Sequence, residues 1–293
     1  MRRGFSNSEK ITIPKIAEKK RRDEKITMLT AYDYPMARII DQIGVDIMLV
    51  GDSLANVILG YSNTLPVTME EMLHHTKAVA RGCQRALLVA DMPYLSYHID
   101  IKETIRNAGR FIKEGGAEAV KVEGGKKRAE VISRILDLEI PVMGHIGLTP
   151  QSIHQMGGYR VQGNTLDQSL TLVEEARLLE ATGVFSIVLE GIPEEVAQII
   201  TQGVSIPTIG IGAGRFCDGQ VLVVHDMLGF FEEFQPKFVR RYANLHQEIG
   251  KAVRQFFSDI REGKFPSEKE SHHLPPEIAA ALKEKLAKGN GDN

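Results

Sequence analysis

The chain has 293 residues, 43% hydrophobic and 25% charged, enough apolar side chains for a full core, which excludes disorder as the main state. Its 36 Lys and Arg face 38 Asp and Glu for a formal charge of -2, and with 6% aromatics and no Trp this argues against a nucleic-acid binder working through a basic face. Two cysteines, Cys83 and Cys217, provide neither a disulfide framework nor a metal cluster and fit a reducing compartment.

The first ten residues are basic but are not followed by the apolar stretch of a signal peptide. No uncharged apolar run approaches the ~18–20 residues that span a bilayer, so a soluble cytoplasmic protein without a membrane partner is expected. Up to about Lys25 the sequence is basic and mixed, and its one apolar knot, 11–16, is expected to pack as a cap. Short apolar runs then recur at 26–29, 47–50, 86–90, 119–122, 140–143, 186–189, 207–209 and 221–224. They are nearly continuous rather than alternating, as in strands buried on both faces.

Amphipathic segments lie between them. Met36, Ile39, Ile40 and Ile43 share one helical face, with Pro35 at the start and Gly44 at the end. Thr68-Met69-Glu70-Glu71 is a capping-box pattern, and Pro193-Glu194-Glu195 opens another helix. Eight strands alternating with helices predict a (β/α)8 TIM barrel, although an open doubly wound sheet would satisfy the same count. The predicted organisation is a single barrel with its N-terminal cap over 1–264 and a charged tail over 265–293. A short helix is expected at 277–288 and frayed chain at 289–293. His272-His273 has no third ligand at metal-binding spacing.

In such a barrel the functional side chains gather where the strands end and in the loops that follow. Those positions hold Asp33, Asp52, Ser53, Asp91, Lys121, Glu123, His145, Glu190, His225 and Asp226. Several carboxylates at one rim repel each other unless a cation sits among them. Lys121 is one candidate and a hard divalent ion, Mg²⁺, is another, with Asp52 and Asp91 on adjacent strand ends as its natural ligands. The competing reading is that each Asp caps the following helix. Lys121 and Glu123, two apart on one strand, face the same way and form either a ligand grip or a structural ion pair. Glu190 leaves an apolar strand, which favours a general base, with helix capping as the alternative. His145 is either near the substrate or a satisfied core histidine. The run 210–214 fits a tight turn or close backbone approach better than a phosphate cradle, and 157–163 reads as a mobile loop at the mouth, where Arg160 meets either an anion or solvent.

Taken in order, Val50-Gly51-Asp52-Ser53, Leu65-Pro66-Val67-Thr68, Ala90-Asp91-Met92-Pro93, Val120-Lys121-Val122-Glu123-Gly124-Gly125 and the nine residues from Gly144 to Ser152 resemble the ketopantoate hydroxymethyltransferase family. The resemblance continues through 157–163, 188–190, 209–214 and 218–223, from about Ile11 to Tyr242, and does not extend to the tail. It implies a (β/α)8 barrel assembled as a homodecamer. The implied reaction is transfer of a one-carbon unit from 5,10-methylenetetrahydrofolate to 3-methyl-2-oxobutanoate. By position, Asp52 and Asp91 look like Mg²⁺ ligands and Glu123 like the third acid, direct or through water. Ser53 and Lys121 look like the grip on the substrate carboxylate, and Glu190 like the proton acceptor. A Mg²⁺-dependent 2-oxo acid carbon–carbon lyase or phosphonomutase is the alternative on a similar barrel. That class relies on a reactive loop cysteine, whereas Cys83 falls in a predicted helix and Cys217 beyond the glycine run.

Overall fold

The computed structural model describes residues 9–232 and 236–289; the frayed end expected at 289–293 lies outside them from residue 290 on. The described chain divides into two compact units between Tyr242 and Ala243. In the first, eight parallel strands close into a barrel in sequence order. They are β1 (Ile26–Thr30), β2 (Ile47–Val50), β3 (Leu87–Asp91), β4 (Ala119–Glu123), β5 (Val142–Gly147), β6 (Ser186–Glu190), β7 (Thr208–Ile211) and β8 (Gly219–Leu222). The main helices of this unit are α1 (Ile13–Arg21), α2 (Tyr34–Ile43), α3 (Leu54–Val57), α4 (Met69–Gly82), α5 (Ile101–Arg110), α6 (Ala129–Leu136), α7 (Ile153–Met156), α8 (Leu166–Thr182), α9 (Glu194–Gly203) and α10 (Val224–Leu228). The second unit carries α11 (Leu245–Arg261) and α12 (Pro276–Gly289).

Closure settles the choice between barrel and open sheet, because β1 pairs with both β2 and β8. Strand side chains alternate between two cores. One lies between the strands and the helices and includes Val50, Leu88, Val122, Ile187 and Leu189. The other fills the barrel: Ile26, Met28, Ile47, Leu49, Leu87, Val89, Ala119, Met143, Val188, Ile209 and Val221, joined by Ile11 and Ile16. Of the apolar knot, Ile16 is fully buried and Ile11 nearly so.

Two strands start two residues away from where the sequence pattern placed them. β5 begins at Val142 rather than 140, since Pro141 has no N–H for the ladder and contributes only its carbonyl, which accepts from Val120 N. β8 spans 219–222 rather than 221–224, because Val224 already opens α10, its amide donating to Thr30 Oγ1 at 2.9 Å. Cys83 falls just past α4, at its C-cap. The run 210–214 makes tight turns. Gly212 has φ +63°, and a Cβ there would come within 2.8 Å of the Phe238 ring.

Candidate active site

The period of two inside the barrel carries the apolar layers upward into a polar one. On β3 the inward series Leu87, Val89 ends in Asp91; on β4 Ala119 is followed by Lys121 and Glu123; on β5 Met143 by His145; and on β6 Val188 by Glu190. Neighbouring registers bring these into one layer, with Asp91 opposite Lys121 and Glu123 opposite His145. Gly51 follows β2 at the next inward position. A Cβ there would lie 2.8 Å from Ser53 Oγ and 3.5 Å from Asp91 Oδ2, so the missing side chain keeps the mouth open and lets the chain turn to Asp52.

Asp52, Asp91, Lys121, Glu123 and His145 are all buried, between 2% and 5% exposed. Lys121 Nζ lies 3.1 Å from Asp91 Oδ1, 3.0 Å from His145 Nδ1 and 3.9 Å from Glu123 Oε1. The Asp52 amide donates to Asp91 Oδ2 at 3.1 Å. Gln151 joins the other two acids: its side-chain Nε2 donates to Asp52 Oδ2 at 2.9 Å and its backbone N to Glu123 Oε2 at 3.0 Å. His145 Nε2 reaches Glu190 Oε2 at 3.2 Å, and the Glu190 side chain, 15% exposed, is the most accessible of the four carboxylates. Ser53 stands at the edge, its Oγ 2.8 Å from the hydroxyl of Tyr32. Asp52, Ser53, Asp91, Lys121, Glu123, His145 and Glu190 thus converge at one end of the barrel, while Asp33 stands apart as the N-cap of α2, accepting from Met36 N at 2.8 Å.

Charge is unbalanced here. Burial, then the nearby Glu123 and Asp91 carboxylates, push the Asp52 carboxyl well above its usual range. Burial also raises Asp91 despite the Lys121 ammonium beside it. Glu123 goes the other way: burial opposes ionisation, but His145 and Lys121 outweigh it and hold the pKa down. For Lys121, burial is overcome by the three acids, which hold its proton more tightly than normal. Burial and Lys121 weaken proton binding by His145, yet Glu123 and Glu190 win and raise its pKa to about 9. With the ring neutral, Lys121 donates into Nδ1; with it protonated, Nδ1 faces Glu123 Oε1 at 3.5 Å. In both states Nε2 carries a hydrogen; it lies 3.2 Å from Glu190 Oε2 but is not aligned for a hydrogen bond there.

The donor set fits a hard divalent cation in part. Asp91 Oδ1 makes no aligned hydrogen bond among the described residues although the Lys121 ammonium lies 3.1 Å away, and Asp52 is pushed toward protonation by burial and its acidic neighbours. Both conditions are relieved by added positive charge. No group of three or more His, Cys, Asp and Glu side chains among the described residues is arranged to hold a metal ion. Glu123 shows why: Oε2 is taken by Gln151, and Oε1 faces Lys121 and His145. Two carboxylates completed by water and ligand oxygens remain an ordinary Mg²⁺ environment.

The model of the ketopantoate hydroxymethyltransferase family matches residues 10–268. The chain belongs to that family. Among its relatives, the 3-methyl-2-oxobutanoate hydroxymethyltransferase of Koribacter versatilis is 58% identical over 273 residues, covering 93% of this chain and 92% of that one. The enzyme of the same name from Syntrophomonas wolfei is 54% identical over 273 residues, covering 93% and 99%. Solved structures share the ketopantoate hydroxymethyltransferase fold at greater distance. A 2,3-dimethylmalate lyase superposes with a TM-score of 0.57 at 15% identity, over 96% of this chain and 98% of the other. Phosphonopyruvate hydrolase bound to oxalate and Mg²⁺ gives 0.57 at 11% identity, over 96% and 98%. These two likenesses concern the barrel alone. No helix among the described residues is long and apolar enough to cross a membrane.

Gln151 and Tyr97 escape sequence reasoning. A buried amide carries no charge signature, and only its place in the block from Gly144 to Ser152 marked it. Tyr97 is 1% exposed and would pass for core, yet its hydroxyl donates to Gln151 Oε1 at 2.6 Å.

Proposed function

We propose that this chain transfers a hydroxymethyl group from 5,10-methylenetetrahydrofolate to 3-methyl-2-oxobutanoate, giving 2-dehydropantoate and tetrahydrofolate, with water supplying the hydroxyl oxygen. The carrying observation is the buried layer in which Asp52, Asp91, Lys121 and Glu123 meet below the more accessible Glu190. Asp52 and Asp91 would hold Mg²⁺ directly and Glu123 through water. When bound, the cation supplies Lewis-acid charge to the keto and carboxylate oxygens of the oxo acid and favours its enolate.

The remaining work falls to the chain itself. Lys121, with Ser53 held by Tyr32, neutralises and orients the substrate carboxylate. Glu190 accepts the proton from C3, and the carbon so exposed attacks the methylene carbon of the folate. His145 faces Glu190 through Nε2, 3.2 Å from Oε2. The buried walls exclude bulk water from the cation and Lys121, which strengthens both. The proposal includes a homo-oligomer, a decamer, working in the cytoplasm; sedimentation velocity of the purified chain checks the assembly.

The test is proton NMR of 3-methyl-2-oxobutanoate in D₂O with enzyme and Mg²⁺. Loss of the C3 proton signal without folate, and a new hydroxymethyl signal with it, are expected. Glu190→Gln should slow C3 exchange ~100-fold or more, the scale of a general base, while the oxo acid still binds. Exchange at the unaltered rate in that variant would remove Glu190 from the role, and oxo acid cleavage instead of addition would point to a lyase.

A further inference from the structure

We infer that Gln151, locked by Tyr97, is the positioning residue that sets Asp52 and Glu123 for the cation; this rests on the metal reading proposed above. Gln151 occupies the short 3₁₀ turn Pro150–Ser152 directly after β5 and is 6% exposed. Its Nε2 has two hydrogens and spends both, on Asp52 Oδ2 at 2.9 Å and on the Met92 carbonyl at 3.0 Å. The Met92 carbonyl can only accept, so the amide has one workable orientation and Oε1 must face Tyr97. Tyr97 in turn must donate: its hydroxyl is 2.6 Å from Oε1 and further, 3.4 Å, from the Glu123 carbonyl. The backbone N of the same residue fixes Glu123 Oε2 at 3.0 Å. One residue thereby orients two acids from different strand ends, on β2 and β4. Oδ2 of Asp52 accepts from this amide, so Oδ1 is the oxygen with more lone-pair capacity left for the cation.

Partners that orient metal ligands carry ~10–100-fold of metal affinity. Mn²⁺ is the probe, with the free ion counted by electron paramagnetic resonance on the full chain. Gln151→Met, similar in length and without a donor, should raise the Mn²⁺ Kd by ~10–100-fold. Tyr97→Phe should raise it in the same direction by a smaller factor. The double variant should bind no worse than Gln151→Met alone, because Tyr97 acts only through the amide. Thr201→Val is the stability control: Thr201 Oγ1 bonds Ala197 O and Thr208 Oγ1 at the opposite end of the barrel, so the loss of Tm should leave the Mn²⁺ Kd unchanged. Asp52→Asn separates the two readings. If Asp52→Asn binds Mn²⁺ like the parent, the metal reading fails and this inference with it. If Asp52→Asn loses Mn²⁺ while folded Gln151→Met keeps the parent Kd, the inference alone fails. Should Gln151→Met not fold, Tyr97→Phe decides, and a parent-like Kd there overturns the lock.

Discussion

At the scale of single residues, His98 shows how an unused group beside a site still shapes the molecule's response to pH. Its ring packs 4.1 Å from that of Tyr97 and 5.1 Å from that of Tyr94, centroid to centroid. Burial, then the charge of Arg128, lower its pKa to about 4, against a weaker pull from Glu123. The folded chain therefore refuses a proton that the unfolded chain accepts below about 6.5. Stability should fall as pH drops from 6.5 toward 4, by less than ~1.4 kcal/mol per pH unit from this group, since a half-buried ring keeps part of its hydration. Urea unfolding at pH 7 and pH 5 checks this: His98→Asn should lose less stability between them than the parent. Equal losses would show that other groups carry the whole dependence.

At the scale of elements, an acid after a strand has two possible employments, and the barrel uses both. Asp33 is exposed and caps α2 with its own carboxylate, whereas Asp52 and Asp91 are buried and cap nothing; Ser53 holds the N-cap place before α3. The sequence patterns were equally compatible with a cap in all three cases. What separates them is direction, which depends on where each strand ends relative to the inward series. Asp33→Ala should therefore cost ~1 kcal/mol, the usual value of a cap, and leave the Mg²⁺ dependence of turnover as in the parent. A variant with weakened metal response would return Asp33 to the site. The capping box before α4 was legible outright, since Thr68 and Glu71 bond each other's backbone within four residues, and local signals of that kind need no tertiary partner.

At the scale of the barrel unit, the end opposite the site is closed by a repeated device. Asp46, Glu118 and Asp218 each immediately precede a strand, β2, β4 and β8. Each accepts a backbone amide from the neighbouring strand, from Thr27, Leu88 and Thr208 respectively. Each also takes one lysine of the N-terminal segment: Lys19, Lys10 and Lys20. The Lys20 ammonium is held by Asp218 Oδ2 at 3.0 Å and by the carbonyls of Thr201 and Ile206, both at 2.9 Å. Lys20 and Asp218 are 14% and 15% exposed, so removing the cation leaves a poorly solvated carboxylate. Lys20→Met should lower unfolding stability by ~2–3 kcal/mol, below the 3–5 kcal/mol of a fully buried pair, with turnover at 25 °C unchanged. A denaturation midpoint equal to the parent's would show that the N-terminal segment is held by Ile11 and Ile16 alone.

The sequence by itself determined the alternation of strands and helices and most of the charged strand ends, because both are written in short periods, while closure of the sheet was left to the structure. Apolar runs mark strands buried on both faces, and a spacing of two puts Lys121 and Glu123 on the same side of β4. What only the tertiary structure decided were the pairings between residues far apart in the chain. Gln151 meets Asp52 across 99 residues, and Lys20 meets Asp218 across 198. No local pattern encodes these contacts, since they arise only when strand register brings separate loops onto one end of a closed sheet. Basic residues that read as a mixed N-terminal segment pair with acids at the strand starts, and an uncharged amide joins two acids.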